Sequence, residues 1–279
     1  QSEVAKTISA EMAAGHPMHR LLQGEVGSGK TVVAVRAMLT VVDSGGQAAL
    51  LAPTEVLAAQ HYRAIMNLLG PLAERGKLGA HDEGTGVTLL TGSMATAARR
   101  QALLDITSGQ AGIVIGTHAL LEDRVDFFDL GLVVIDEQHR FGVEQRATLV
   151  GKAGSDRRPH VLVMTATPIP RTLAMSLYGD LDISVIDELP PGRKPIQTVH
   201  RYDSNRLKVW KFLKDEIAKG RQVYIVYPLI QESEKMDYKD LMDGYESISR
   251  DFPLPQYSIS IVHGKMKPAD KDEEMRRFS

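Results

Sequence analysis

The sequence predicts an α/β protein built from parallel sheets with helices on both faces, arranged as two domains in tandem. Three observations carry this. Short β-branched apolar runs alternate with longer amphipathic stretches, the pattern of strand–helix–strand units whose sheet is covered on both sides. A glycine-rich turn, Gly24-Glu25-Val26-Gly27-Ser28-Gly29-Lys30-Thr31, separates the apolar pair Leu21-Leu22 from an apolar-rich stretch, Val32 to Val42. The segment from Asp187 to Pro195 holds three prolines and a glycine and breaks the alternation once, as an inter-domain linker does.

The elements follow in order. Val4, Ile8 and Met12 recur every four residues and predict a helix over 2–14. Ala48–Ala52 is a buried-strand candidate, followed by a helix over 55–69 and a polar, glycine-rich loop over 76–86. Val87–Leu90 predicts a strand and 95–108 a helix. Ile113–Ile115, Leu132–Ile135 and Val161–Met164 are further short β-branched runs, and a helix is expected over 170–178. Beyond the linker a second alternation is expected. It has strands near 196–201, 222–227 and 257–262, and helices over 203–219, 238–249 and 268–278. The charged stretch Glu232 to Asp251 reads as a solvated helix and loop.

The turn at 24–31 fills every fixed position of the phosphate-loop pattern G-x-x-x-x-G-K-[S/T]. Gly24, Gly27 and Gly29 let the backbone approach phosphates closely and adopt positive φ, with Glu25, Val26 and Ser28 between them. Loop amides and the N-terminus of the next helix then face the anion. Lys30 is expected on the β- and γ-phosphates, and the Thr31 hydroxyl in a magnesium shell, since that cation prefers oxygen. The implied ligands are a nucleoside triphosphate, ATP, and Mg2+. Further on, Leu132-Val133-Val134-Ile135 ends in Asp136-Glu137-Gln138-His139. Ligands of open α/β sheets bind at the carboxyl ends of strands, so the acidic pair is expected beside the phosphate loop. Asp136 would bind magnesium and Glu137 would orient and deprotonate an attacking water, two roles that phosphoryl transfer needs.

Composition narrows the remaining classes. The chain has 279 residues, 43% of them hydrophobic, enough for two domains with sizeable cores. A net charge of −2 neither demands nor excludes nucleic acid. The absence of cysteine rules out disulfides, thiolate zinc sites and a thiol nucleophile. The nine histidines show no zinc spacing, and His16 and His19 read as surface residues. There is no apolar run of membrane-spanning length and no signal-peptide pattern. Both ends read as cut from a longer protein.

Taken in order, the motifs resemble those of the superfamily-2 helicases. Ala52-Pro53-Thr54-Glu55-Val56-Leu57-Ala58-Ala59-Gln60-His61, Thr91-Gly92-Ser93 and Gly116-Thr117-His118 are similar to that group's DNA-contact motifs. Asp136 to His139 resembles its acidic box, Thr165-Ala166-Thr167-Pro168-Ile169-Pro170-Arg171 its coupling motif, and Val262-His263-Gly264-Lys265-Met266 a second-domain motif. Gln1 stands where the group often reads adenine. More narrowly, DEQHRFGVEQ from Asp136, PIPRTLAM after Thr167, DELPPGRKP from Asp187 and YPLIQESE from Tyr227 resemble the RecG family of bacterial ATP-dependent branched-DNA helicases. The transcription-repair coupling family shares PIPRTL but differs at Gln138 and in the linker.

The resemblance implies tandem RecA-like phosphate-loop domains, with ATP in the cleft between them. They would be an ATP-binding domain over 1–190 and the N-terminal part of a second, truncated one over 191–279. Gln138 and His139 would sense the γ-phosphate, with Lys30, Asp136 and Glu137 completing the catalytic group. Thr165, Ala166, Thr167 and Arg171 would couple it to DNA movement. Pro53, Thr54, Thr91, Gly92, Thr117, His118, His263 and Gly264 would contact the DNA backbone, and such contacts position without reading sequence. The expected partner is branched or forked DNA, met by a monomer in the bacterial cytoplasm at the nucleoid. The family's wedge domain and its late motifs, including an arginine finger worth roughly 10³–10⁵ in rate, are missing. Weak nucleotide binding and poor hydrolysis are therefore expected. A transcription-coupled translocase, a signalling or kinase domain, and a non-catalytic nucleotide-binding module remain as alternatives.

Overall fold

A computed structural model describes residues 1–73, 84–136, 143–153, 158–167, 181–188, 196–226, 234–263 and 266–278. The chain divides into two compact units, Gln1–Lys194 and Pro195–Ser279.

In the first unit, helix α1 (Ser2–Met12) leads to strand β1 (His19–Gly24). Next come α2 (Lys30–Asp43), β2 (Gln47–Leu51) and α3 (Glu55–Leu69). After them follow β3 (Gly86–Leu90), α4 (Thr96–Thr107), β4 (Ala111–Gly116) and β5 (Leu130–Asp136). The unit ends with α5 (Val143–Gly151), β6 (His160–Thr165) and β7 (Asp182–Ile186). The described strands form one seven-stranded sheet in the order β3-β4-β2-β5-β6-β1-β7. Each pairing is parallel. The predicted α/β class with a covered parallel sheet is borne out, and the predicted strands and helices of this unit lie within a few residues of the observed ones. Strand β7 was not foreseen. The helix expected over 170–178 lies outside the described residues.

Why the runs are continuously apolar is visible in how they pack. Successive residues of a strand face opposite sides of the sheet. Leu22, Leu50, Ile113, Val134 and Met164 pack with Val33 and Met38 of α2, Ile8 of α1 and Ile65 of α3. Their neighbours Leu51, Val114, Val133 and Ile135 pack with Ala102 and Ile106 of α4 and Leu149 of α5. With helices on both faces, the central strands have no polar side to show. Arg20 is the exception inside β1, and it is paired: its guanidinium donates to both Glu11 carboxylate oxygens and to Ser184 Oγ, tying α1, β1 and β7 together.

At the opposite, amino end of the sheet sits Gln47, only 2% exposed. Its Nε2 donates to the carbonyls of Ile106 (3.0 Å) and Ala111 (2.7 Å). Its Oε1 accepts from the amides of Phe128 (2.7 Å) and Asp129 (3.0 Å). One side chain thus joins β2 to the end of α4, the start of β4 and the approach to β5. It satisfies four backbone groups that would otherwise be buried without partners.

The second unit is described separately. Its helices are α6 (Arg206–Ala218), α7 (Glu234–Asp251) and α8 (Pro268–Phe278). Trp210 of α6 meets Phe252 edge to face at 5.6 Å, Phe252 meets Tyr257 likewise at 5.1 Å, and the Lys214 ammonium lies 5.2 Å from the Phe252 ring. The three strands expected here are corrected by the structure. Residues 196–202, 221–226 and 257–263 carry no strand. β-Branched residues favour a pleated surface with neighbours to pack against. No such ladder exists among the described residues of this unit, and Val199 and Val226 are exposed.

Replacing Gln47 by Leu keeps the volume and strands its four backbone partners. Each buried group left unpaired costs about 1–3 kcal/mol, so the variant is expected to lose at least about 3 kcal/mol of unfolding free energy in a urea titration. A loss within the scatter of surface substitutions, about 0.5 kcal/mol, would show that the clamp does not hold the sheet.

Candidate functional site

Parallel strands leave the sheet at one edge, and the motif residues collect there. The phosphate loop runs from the end of β1 into α2. Gly27 and Gly29 have φ of 82° and 87°, in the left-handed region that favours glycine, and Gly29 is the N-cap of α2. Close approach adds to this. A Cβ at Gly24 would lie 2.6 Å from Ser28 Oγ, and one at Gly29 would collide with the Gln1 carboxamide. Glu25, Val26 and Gly27 are exposed at the crest of the loop. The Lys30 ammonium reaches back over the loop to the carbonyls of Gly24 (2.5 Å) and Glu25 (2.9 Å). Gln1 Nε2 donates to the Ser28 carbonyl at 2.7 Å, so Gln1 braces the loop.

The residues fit a nucleotide phosphate with its magnesium. Ser28 Oγ is buried without a hydrogen-bond partner. The first turn of the 14-residue helix α2 presents amides that no preceding turn can satisfy. Thr31 and Asp136 supply the hydroxyl and carboxylate oxygens that a hard cation takes. Asp136 ends β5 and is 9% exposed. Its register partner on β6 is Met164, which pairs on its other side with Leu22 of β1. Neighbouring strands lie ~4.8 Å apart, so Asp136 sits about 10 Å across the sheet from the strand that launches the loop. Thr165, 1% exposed at the end of β6, lies between them, and its Oγ1 accepts from the Thr167 amide at 3.1 Å. Glu137, Gln138, His139 and Arg171 lie outside the described residues.

The remaining turns at this edge belong to the motifs that resemble DNA-contact elements. Pro53 and Thr54 follow β2, and Thr54 Oγ1 caps α3 by accepting from the Leu57 amide at 3.3 Å. Thr91, Gly92 and Ser93 follow β3. Thr117 and His118 follow β4, with His118 exposed and Thr117 Oγ1 buried without a hydrogen-bond partner. Glu55 binds two of these turns together. Its carboxylate accepts from the Ser93 amide (2.9 Å) and Ser93 Oγ (2.5 Å). These hydrogen bonds, led by the Ser93 hydroxyl and helped by Gly92 and the nearby His118, hold its pKa below the usual glutamate range against the opposing effect of burial. Arg99 donates to the Thr91 carbonyl (2.8 Å) and to both oxygens of Glu122 (2.7 and 2.8 Å). It braces this turn, while Arg100 is exposed. His263 lies in the second unit, and Gly264 is outside the described residues.

Three contributors escaped the sequence reading. Glu55 and Arg99 stand inside or beside the motifs and bond to neighbouring turns. His61 lies on α3, and its Nε2 meets Asp136 Oδ2 at 2.7 Å. A helix periodicity places His61 on α3, but nothing in it points to a residue 75 positions later.

A covered parallel sheet with a phosphate loop and an acidic strand end at one edge is the arrangement of the phosphate-loop nucleotide-binding class, and the chain belongs to the DEAD/DEAH box helicases, whose family model matches residues 1–176. Along its whole length it is similar to the ATP-dependent DNA helicase RecG of Mycobacterium tuberculosis. The two are 51% identical over 288 residues, a match covering 100% of this chain and 39% of that protein. Among solved structures, RecG bound to a three-way DNA junction superposes with a TM-score of 0.70 at 38% identity, covering 99% of this chain and 34% of that one. The DEAD-box helicase Mss116 bound to single-stranded RNA superposes at 0.64 with 17% identity, covering 99% of this chain and 58% of that one, a likeness of fold alone. The resemblance to RecG read from the motifs is borne out. The chain spans about two fifths of the length of the RecG relatives it matches.

A depressed Glu55 pKa means that its contact with Ser93 contributes stability above the ordinary glutamate range and loses it as pH falls through the folded value. The amide resonance of Ser93 is therefore expected to titrate with a midpoint below that of an unperturbed glutamate, and to lose this titration in Glu55→Ala. A titration surviving in Glu55→Ala would assign it to another group.

Proposed function

We propose that this chain is the motor segment of a RecG-type ATP-dependent DNA helicase acting on branched DNA such as stalled forks and Holliday junctions. The observation that carries the reading is a convergence: the phosphate loop, Asp136 and the turns after β2, β3 and β4 share one sheet edge, within a chain similar to RecG from end to end. Residues 1–190 form the ATP-binding domain and 191–279 the beginning of the second. Lys30 and the amides of Gly27 to Thr31 hold the triphosphate. Thr31 and Asp136 hold Mg2+, which offsets the charge developing on the transferred phosphoryl group. Glu137 orients and deprotonates water. Gln138 and His139 report the γ-phosphate, and Thr165, Ala166, Thr167 and Arg171 pass its loss to the DNA side. Pro53, Thr54, Thr91, Gly92, Thr117, His118, His263 and Gly264 contact phosphates. The setting is the bacterial cytoplasm, at the nucleoid, with the protein acting as a monomer.

Titration of a fluorescent ATP analogue with Mg2+ into this chain is expected to saturate, and Lys30→Ala to abolish saturation, because the ammonium that balances phosphate charge is gone. Unchanged affinity in that variant would overturn the loop assignment. In the longer protein, Glu137→Gln is expected to keep nucleotide binding and lose turnover. DNA affinity there should fall steeply with salt and depend little on sequence, as phosphate-directed binding does. A strong sequence preference would contradict a backbone-tracking motor.

A further inference from the structure

His61 is absorbed into a motif that the proposed function assigns to DNA, yet its side chain points away from that role. It sits on α3, whose first residue, Glu55, is held to Ser93. Farther along the helix, His61 Nε2 lies 2.7 Å from Asp136 Oδ2. Both side chains are only 12% exposed. A hydrogen bond this short between two largely buried groups fixes the carboxylate rotamer. It requires Nε2 to carry the proton, because an ionised carboxylate only accepts. We propose that His61 is a positioning residue for Asp136: it holds Oδ2 from α3 and leaves the second oxygen to the magnesium shell. This rests on the reading that Asp136 serves the magnesium of a bound nucleotide.

The physical argument is one of preorganisation. A carboxylate at the end of a strand can rotate, and a magnesium ion demands near-ideal geometry from its few protein ligands. Groups that hydrogen-bond a ligating side chain set its orientation, and losing them typically costs about 10–100-fold in metal affinity. Among the described residues His61 supplies a side-chain hydrogen bond to Asp136, and it comes from the body of a helix, not from a turn at the sheet edge. Glutamine at this position can also offer an Nε2–H to Oδ2, whereas alanine offers nothing.

The test uses this chain with His61→Ala and His61→Gln. A fluorescent ATP analogue is titrated with Mg2+, and separately in EDTA, with thermal unfolding recorded for each variant. In His61→Ala the Mg2+ midpoint is expected to rise about tenfold, with affinity in EDTA unchanged, and His61→Gln should recover most of the loss. A midpoint unchanged in His61→Ala would overturn the inference. So would equal losses with and without Mg2+, which mark general damage to the site, or a glutamine variant no better than alanine. If the unsubstituted chain fails to bind the analogue, or binds it equally well as Lys30→Ala, the functional reading falls and takes this inference with it. Normal Mg2+-dependent binding that ignores His61 removes the inference alone.

Discussion

A parallel strand buried on both faces can be followed by another only after the chain has crossed back over the sheet. Everything else in the first unit follows from that constraint. Because β1, β2, β4, β5 and β6 all run the same way, every turn that leaves them falls at one edge. The sheet interior needs no chemistry and holds Leu22, Leu50, Ile115, Val134 and Leu162. The chemistry is displaced to the residue at which each strand stops: Gly24, Asp136, Thr165 and the turns that begin at Pro53, Thr91 and Thr117.

That edge is rigid in a particular way. Its turns are held by side chains that bond to neighbouring segments of the chain. Gln1 braces the phosphate loop, Arg99 and Glu55 brace the turn after β3, and His61 reaches the end of β5. Hydrogen bonds to charged groups are about twice as strong as neutral ones, and three of these four involve a carboxylate or a guanidinium. This support comes from the N-cap of α1 and from helices α3 and α4, and it engages the Ser93 amide and hydroxyl themselves.

The parts legible in the sequence share a cause. The phosphate loop was legible because its function needs glycine at fixed positions, and Gly27 and Gly29 do adopt positive φ. Strands β2, β4, β5 and β6 were legible because double-sided burial writes an unbroken apolar run. Asp136 was legible because it terminates one. Gln47 was invisible: a polar residue at the head of a strand looks like an exposed terminus until its four partners from three other segments are known. His61 was invisible for a similar reason, since its partner is supplied by tertiary packing. The strands expected near 196–201, 222–227 and 257–262 show the converse failure. Local preference was read correctly, but preference forms no strand without a neighbour.

The sheet order also sets a timetable. Strand β1 pairs with β6 and β7 among the described strands, and the bond from the Met18 amide to His160 Nδ1 spans 142 residues. Strands β2, β3, β4 and β5 can pair with one another well before that. A ribosome adding about 5–20 residues per second needs roughly 7–28 s to make the intervening chain. The segment that carries the phosphate loop therefore leaves the ribosome first among the strands and is the last of the central ones to find a partner. Until then neither of its neighbouring strands stands beside Leu21 and Leu22. In a nascent chain that interval falls on the strand from which the phosphate loop departs.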